Sequence, residues 1–306
     1  MLTINGIPLQ SSFTFPGGEV QIKLPLDELP HPSDSESRLH IKTILNSSER
    51  IMELMMVKAA LDSHYGLWTK KDLSILYFPF ARQDRVCVKG EANASKVFIN
   101  MLQWMRFDTI FVADVHNTKI FNEIDGRFYL STGPYMPVEH MSVKDIFTKN
   151  ADKLGLDEID YLIAPDAGAY DKIYNLAVAQ DKGFFHAKKI RNPKDGKIES
   201  IKLIDGHWCE GKNVMIVDDI CDGGATFIGL AKEILQFKPK SITLYVTHGI
   251  FSKGIDILLR GGIDKVITTD SFFDPDHYHK FLSGWGFGES SVEYLKLQGK
   301  FEVIGI

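Results

Sequence analysis

Cysteine is scarce in this chain of 306 residues: only Cys87, Cys209 and Cys221 are present. An odd number without metal-ligand spacing argues against a disulfide framework and against a cysteine-based metal site. Long apolar runs are also missing, and the opening segment MLTINGIPLQ is neither a basic nor a long apolar leader. No membrane span or export signal is therefore expected, and the reading is cytoplasmic. Positive charge is in deficit, with 35 Lys and Arg against 40 Asp and Glu, a net charge of −5 and a pI near 6.1. That balance argues against a nucleic-acid or anionic-membrane surface. What remains is ordinary for a globular protein, 44% hydrophobic and 25% charged, at a length comfortable for two domains.

Apolar strand-like runs recur with helix-like segments between them. Leu73–Phe78 precedes a helix over Ala94–Met105, and Thr109–Val115 follows. Tyr161–Ala164 precedes Tyr170–Ala179, Val214–Asp218 precedes Thr226–Leu235, and Ser241–Thr247 precedes Ile255–Arg260. Such alternation implies parallel sheets covered by helices. Because it occurs twice, two similar α/β domains are expected, 1–148 and 149–306, although no repeat is visible in the sequence itself. Leu24–Asp34 reads as a proline-rich loop, and the charged stretch Arg191–Lys202 as a mobile loop or β-flag over a site. Ser48–Ala60 reads as a helix whose Met52, Met55 and Met56 fill a core.

The most informative run is Val214-Met215-Ile216-Val217-Asp218-Asp219-Ile220-Cys221-Asp222-Gly223-Gly224-Ala225-Thr226. It reads as a buried strand that stops at two carboxylates, a loop of small residues, and a helix. Ligands of open α/β sheets bind at the carboxyl ends of strands. Glycines let backbone N–H groups close around a phosphate, and the helix N-terminus adds partial positive charge. The acids repel a phosphate, but they accept hydrogen bonds from sugar hydroxyls or help hold a hydrated Mg²⁺. A phosphate cradle placed directly after a hydroxyl-binding acid pair describes a 5-phosphorylated ribose.

This run resembles the phosphoribosyl-diphosphate loop of type I phosphoribosyltransferases and of ribose-phosphate diphosphokinases (PRPP synthetases). Tyr77-Phe78-Pro79-Phe80-Ala81-Arg82-Gln83-Asp84-Arg85, followed by Gly90-Glu91, resembles the nucleotide segment "YFPYARQDR … GE" of the diphosphokinases, which transferases lack. Ala113-Asp114-Val115-His116, Ala164-Pro165-Asp166-Ala167-Gly168, Lys188-Lys189-Ile190-Arg191 and Thr247-His248-Gly249-Ile250-Phe251-Ser252 fall in the same family order. On these motifs the chain is identified as a divergent member of the ribose-phosphate diphosphokinase family.

The resemblance implies two type I phosphoribosyltransferase-like domains, the first on the ATP side and the second on the phosphoribose side. It implies Mg²⁺-dependent transfer of diphosphate from ATP to the C1 hydroxyl of a phosphorylated ribose, in a homo-oligomer. It places Arg82 on the ATP phosphates and Gln83 beside the nucleotide, with His116 and Asp166 at the metal and His116 also at ATP. Asp84 and Arg85 can equally pair with each other. Lys188 matches the lysine that opens the family's catalytic loop, and Arg191 stands one place later than the family's basic triplet would put its partner. Asp218, Asp219, Asp222, Gly223, Gly224, Ala225 and Thr226 form the ribose-phosphate site.

Phe15-Pro16-Gly17-Gly18-Glu19 resembles the family's F-S-D-G-E element, which binds adenine across a subunit interface through Phe15 and Glu19. Gly17 stands where the family has an acid. Gly223 stands where the family has a threonine, so the cradle loses a hydroxyl and gains room. Two acceptors follow: ribose 5-phosphate, giving PRPP and AMP, or a 5-substituted ribose such as ADP-ribose. A PRPP-consuming transferase and a catalytically silent homologue are the rival readings.

Overall fold

The computed structural model describes residues 2–32, 38–121, 137–191, 198–272 and 299–306. The chain divides into two compact units, Met1–Met141 and Ser142–Ile306. Both are α/β units built on a mainly parallel sheet.

In the first unit the elements are β1 (Thr3–Ile4), β2 (Ile7–Pro8), β3 (Ser11–Thr14), β4 (Val20–Lys23), β5 (Arg38–Lys42), α1 (Ser48–Tyr65), β6 (Lys70–Ser74), α2 (Ala94–Met105), β7 (Thr109–Ala113) and β8 (Val138–Met141). Its sheet runs β2-β1-β5-β6-β7-β8, parallel from β5 to β8, while β3 and β4 form a separate antiparallel hairpin. Side chains cap the helix starts: that of Ser47 accepts from the Arg50 N–H, and that of Asn93 from the Lys96 N–H. α2 has the expected bounds. α1 continues past Ala60 to Tyr65; Met52 on it is 45% exposed, whereas Met55 packs against the core.

The strand expected at Leu73–Phe78 is displaced: β6 covers Lys70–Ser74. Leu73 and Ser74 pair within β6, and the rest of the apolar run to Phe78 stays largely buried beyond the strand's end, before Phe80 with φ +61°. The charged start of β6 is affordable because Lys71 is fully engaged. Its ammonium donates to the carbonyls of Gly66 (2.7 Å) and Thr69 (2.9 Å) and pairs with Asp62 (3.2 Å).

The second unit contains α3 (Val143–Leu154), β9 (Tyr161–Ala164), α4 (Tyr170–Ala179), β10 (Gly183–Arg191), β11 (Ile198–Leu203), β12 (Asn213–Cys221), α5 (Ala225–Leu235), β13 (Ser241–Gly249), α6 (Asp256–Arg260), β14 (Lys265–Thr269) and β15 (Phe301–Ile304). The sheet order is β11-β10-β9-β12-β13-β14-β15, with only the β10–β11 pair antiparallel. A boundary at 148/149 would cut α3, whose Phe147 packs edge-on against Tyr245 of β13 at 4.7 Å; the whole helix belongs to the second unit. Leu230, Ala231 and Ile234 of α5 are buried in a core with Ile216 and Leu244 of the strands beneath. That packing fixes the start of α5 at the carboxyl end of β12.

Candidate active site

The acid pair does not follow its strand, as the sequence suggested, but lies inside it. β12 runs on to Cys221 because β13 continues beside it, pairing Asp218 with Val246, Ile220 with His248 and Cys221 with Gly249. β9, the neighbour on the other side, pairs only as far as Ile216. The acids therefore project from a strand held on one side and open on the other. Asp219 is buried and Asp218 partly so, and the Asp219 N–H donates to Asp218 Oδ1 at 2.9 Å. Burial, with the Asp219 carboxylate second, pushes Asp218 well above the ordinary carboxylate range. A pair held this way gains from hydroxyl donors or a cation that relieves its repulsion.

After Cys221 the chain passes through exposed Asp222 and half-buried Gly223 to Gly224, which caps α5 with φ +74°. A Cβ on Gly224 would stand 2.8 Å from Leu258 Cδ2, so both conformation and space require glycine there. The first intrahelical bond of α5 runs from the Ile228 N–H to the Gly224 carbonyl at 3.0 Å. The N–H groups of Ala225, Thr226 and Phe227 precede that bond and point out of the helix start, the arrangement that accepts a phosphate.

The space over Gly223 is not empty. A Cβ built there would lie 3.5 Å from Cε and 3.6 Å from Cδ of Lys253, a residue the sequence reading did not single out. Lys253 follows the motif Thr247–Ser252, whose first residues serve the fold. Thr247 and His248 are buried; the Thr247 carbonyl accepts from the hydroxyls of Thr269 (2.7 Å) and Ser271 (2.9 Å), and His248 Nδ1 meets Ser271 Oγ at 2.7 Å.

Asp166 sits after β9. Its Oδ1 accepts from the N–H groups of Gly168 (2.9 Å) and Ala169 (3.2 Å), which fixes the carboxylate at the entrance to α4. The segment expected to be a loop or flag begins as a β-hairpin: β10 leaves its parallel partner β9 after His186 and pairs antiparallel with β11, Lys188 opposite Lys202. Lys188 is exposed at the hairpin base. The backbone of Arg191 pairs with Ile198, while its side chain and residues 192–197 lie outside the described residues.

In the first unit, the turn at Phe80 throws Arg82 and Gln83 out to the surface while Phe78 packs edge-on against Phe98 at 5.1 Å. Asp84 is taken by Asn117, whose Nδ2 donates to its Oδ2 at 2.7 Å. The structure thus brings the Arg82–Gln83 segment and the exposed His116 turn together. Phe15 and Glu19 share the β3–β4 hairpin, where the Phe15 N–H donates to the Glu19 carbonyl at 2.8 Å. Phe15 is 47% exposed, its ring edge-on to Phe13 at 4.9 Å. The Glu19 carboxylate folds over Gly17: a Cβ there would lie 2.5 Å from Glu19 Oε2. The Glu19 carboxylate thus occupies the space that a side chain at position 17 would take.

Among the described residues no three His, Cys, Asp or Glu side chains cluster as a metal centre. Carboxylate oxygens dominate the available donors, from Asp166 and from Asp218 with Asp219. This chemistry fits a hard divalent ion that keeps its waters and takes further ligands from phosphates. No helix among the described residues is long and apolar enough to cross a membrane.

Residues 139–279 match the phosphoribosyl transferase domain family. The chain is 28% identical over 272 residues to a ribose-phosphate pyrophosphokinase of Pyrococcus furiosus, covering 84% of this chain and 91% of that one. It is 29% identical over 224 residues to that of Pyrococcus abyssi, covering 73% and 72%. Its fold matches the crystal structure of phosphoribosylpyrophosphate synthetase from Mycobacterium smegmatis with a TM-score of 0.70 at 18% identity, over 98% of this chain and 87% of that one.

Proposed function

We propose, from the premise that this chain belongs to the ribose-phosphate pyrophosphokinase family as a divergent transferase, that it moves a diphosphoryl group from ATP to the C1 hydroxyl of ribose 5-phosphate. The observation that carries this reading is the order of chemistry along β12 and α5: a hydroxyl-binding acid pair, a left-handed glycine, then a helix start.

In this reading Asp218 and Asp219 accept from the ribose hydroxyls, and Gly223, Gly224, Ala225 and Thr226 enclose the 5-phosphate, with Asp222 at the loop's outer edge. The C1 oxygen attacks the β-phosphorus of ATP; the bond from that phosphorus to the α,β-bridging oxygen breaks, AMP leaves with the electron pair, and the hydroxyl proton is lost. Arg82 neutralises the ATP phosphates and Gln83 holds the nucleotide. Phe15 stacks on adenine and Glu19 accepts from its amino group, in an oligomer of the chain. Lys188 and Arg191 act on charge that grows in the transition state, where preorganised cations count most. Mg²⁺, to which Asp166 offers a carboxylate fixed at the entrance to α4, would supply charge neutralisation on the diphosphate. A 5-substituted ribose such as ADP-ribose is the alternative acceptor. Lys253 over Gly223 supports the smaller one, since its stem takes the room that a missing side chain would have left.

The test is AMP release from MgATP with ribose 5-phosphate or ADP-ribose as acceptor, with products identified by mass. Acceptor-dependent AMP with a diphosphorylated sugar supports the proposal. ATP turnover independent of any sugar, or none with either acceptor, overturns it. Gly223→Thr separates the two acceptors: it should preserve use of ribose 5-phosphate and obstruct ADP-ribose.

A further inference from the structure

We propose that Lys253 is a specificity-determining ligand for the phosphate on O5 of the acceptor, supplied through space to a loop that has no cation of its own. This rests on the phosphate-loop reading above. Its starting observation is geometric. A Cβ at Gly223 would meet Cε, Cδ and Cγ of Lys253 at 3.5, 3.6 and 3.9 Å. Three successive methylenes at ordinary contact distance mean that the stem lies along the loop. Lysine commonly beds its methylenes this way and leaves its ammonium to water or a ligand.

The turn that carries Lys253 is also fixed to the loop it serves. The N–H groups of Ile250 and Phe251 both donate to the Cys221 carbonyl, at 2.9 and 3.0 Å, one residue before the loop begins. Phe251 is fully buried with φ +47°, a conformation a bulky residue keeps only where its surroundings enforce it. The Gly254 N–H then closes the turn onto the Phe251 carbonyl at 2.8 Å. Among the described residues no ion pair engages the Lys253 ammonium, and Asp256, close by in sequence, is paired with Arg260.

The loop itself offers backbone N–H groups and the Thr226 hydroxyl, all neutral donors, beside the two acids of β12. A phosphate dianion placed there faces nearby carboxylates. An ammonium on the glycine side offsets that repulsion and forms a charge-assisted hydrogen bond, about twice as strong as a neutral one.

Calorimetric titration of the full chain with ribose 5-phosphate, ADP-ribose and unphosphorylated ribose tests this, on the parent, K253M and K253R. K253M keeps the stem and loses the charge. It should bind a phosphorylated acceptor about tenfold more weakly, with the loss shrinking as salt rises, while MgATP affinity is unchanged. K253R should stay within about threefold of the parent. The acceptor with the larger loss is the one whose phosphate Lys253 meets. If the parent binds a phosphorylated acceptor and K253M binds it within twofold as tightly, Lys253 is not a ligand, although the phosphate loop stands. If the parent binds ribose as well as it binds either phosphorylated acceptor, the phosphate-loop reading itself fails, and this proposal with it.

Discussion

Asn117 Nδ2 donates to Asp84 Oδ2 at 2.7 Å, joining the segment that exposes Arg82 and Gln83 to the turn that exposes His116. The two segments follow neighbouring parallel strands, β6 and β7. Asn93 adds a second tie, its Nδ2 donating to the Asp84 carbonyl at 2.9 Å while its Oδ1 caps α2. Asp84 thus positions the proposed nucleotide-binding residues without itself needing to touch ATP.

Asp84→Ala removes one side-chain bond and leaves the Asn93 tie to the backbone. Losing such a bond costs roughly 0.5–1.5 kcal/mol, so the KM for MgATP should rise about threefold to tenfold. The KM for the sugar should hold. Steady-state kinetics with each substrate varied in turn decides; a change confined to the sugar KM would disconnect this bond from the nucleotide.

Lys188→Ala should lower kcat by about 10²–10³, the usual loss for one preorganised transition-state donor, while ATP affinity stays near the parent's. Lys188 is exposed at the base of the β10–β11 hairpin, so the protein should fold normally. Single-turnover rates beside an equilibrium ATP titration separate the two effects. A kcat within a factor of a few of the parent's excludes Lys188 from the chemistry.

Asp218 yields a pH prediction with a definite sign. Its native pKa is raised well above the ordinary aspartate value by burial and then by Asp219. The stability it contributes is complete below about pH 3.8 and is lost as pH rises through the raised native pKa. Above that window the folded protein carries the full cost of a buried, repelled charge. Asp218→Asn should therefore raise the Tm at pH 7 relative to the parent and flatten the loss of Tm between pH 4 and 7. The same substitution should weaken binding of the sugar, because an amide oxygen accepts less strongly than a carboxylate. Thermal melts across that range, paired with sugar titrations, check both. A lower Tm at pH 7 would mean that the charge is held by partners that outweigh its repulsion.

Gly223 and Gly224 should respond in opposite ways to alanine. Gly223→Ala places its Cβ 3.5 Å from the Lys253 stem and should cost little. Gly224→Ala combines φ +74° with a Cβ 2.8 Å from Leu258, and should destabilise by about 1–3 kcal/mol. Denaturant midpoints at unchanged m-value measure the difference. Equal midpoints would show that the loop relaxes freely around α5.

The sequence by itself determined the alternation of strands and helices, the bounds of Ala94–Met105 and Tyr170–Ala179, and the strand–glycine–helix stretch proposed as the phosphate loop. These are local properties: helical period, capping side chains and turn-forming glycines act within a few residues of one another. Tertiary structure decided what depends on distant partners. β12 reaches Cys221 because β13 continues beside it, which puts Asp218 and Asp219 inside a strand. β6 starts among charges because Lys71 finds the carbonyls of Gly66 and Thr69 and the carboxylate of Asp62. Asp84 pairs with Asn117, 33 residues away, and Glu19 covers Gly17 only because a hairpin bends it back. Lys253 lies across Gly223 because the turn after β13 hangs from the carbonyl of Cys221. A single sequence carries no signal for such pairs; they exist once parallel strands set their register and bring the turns at their ends together.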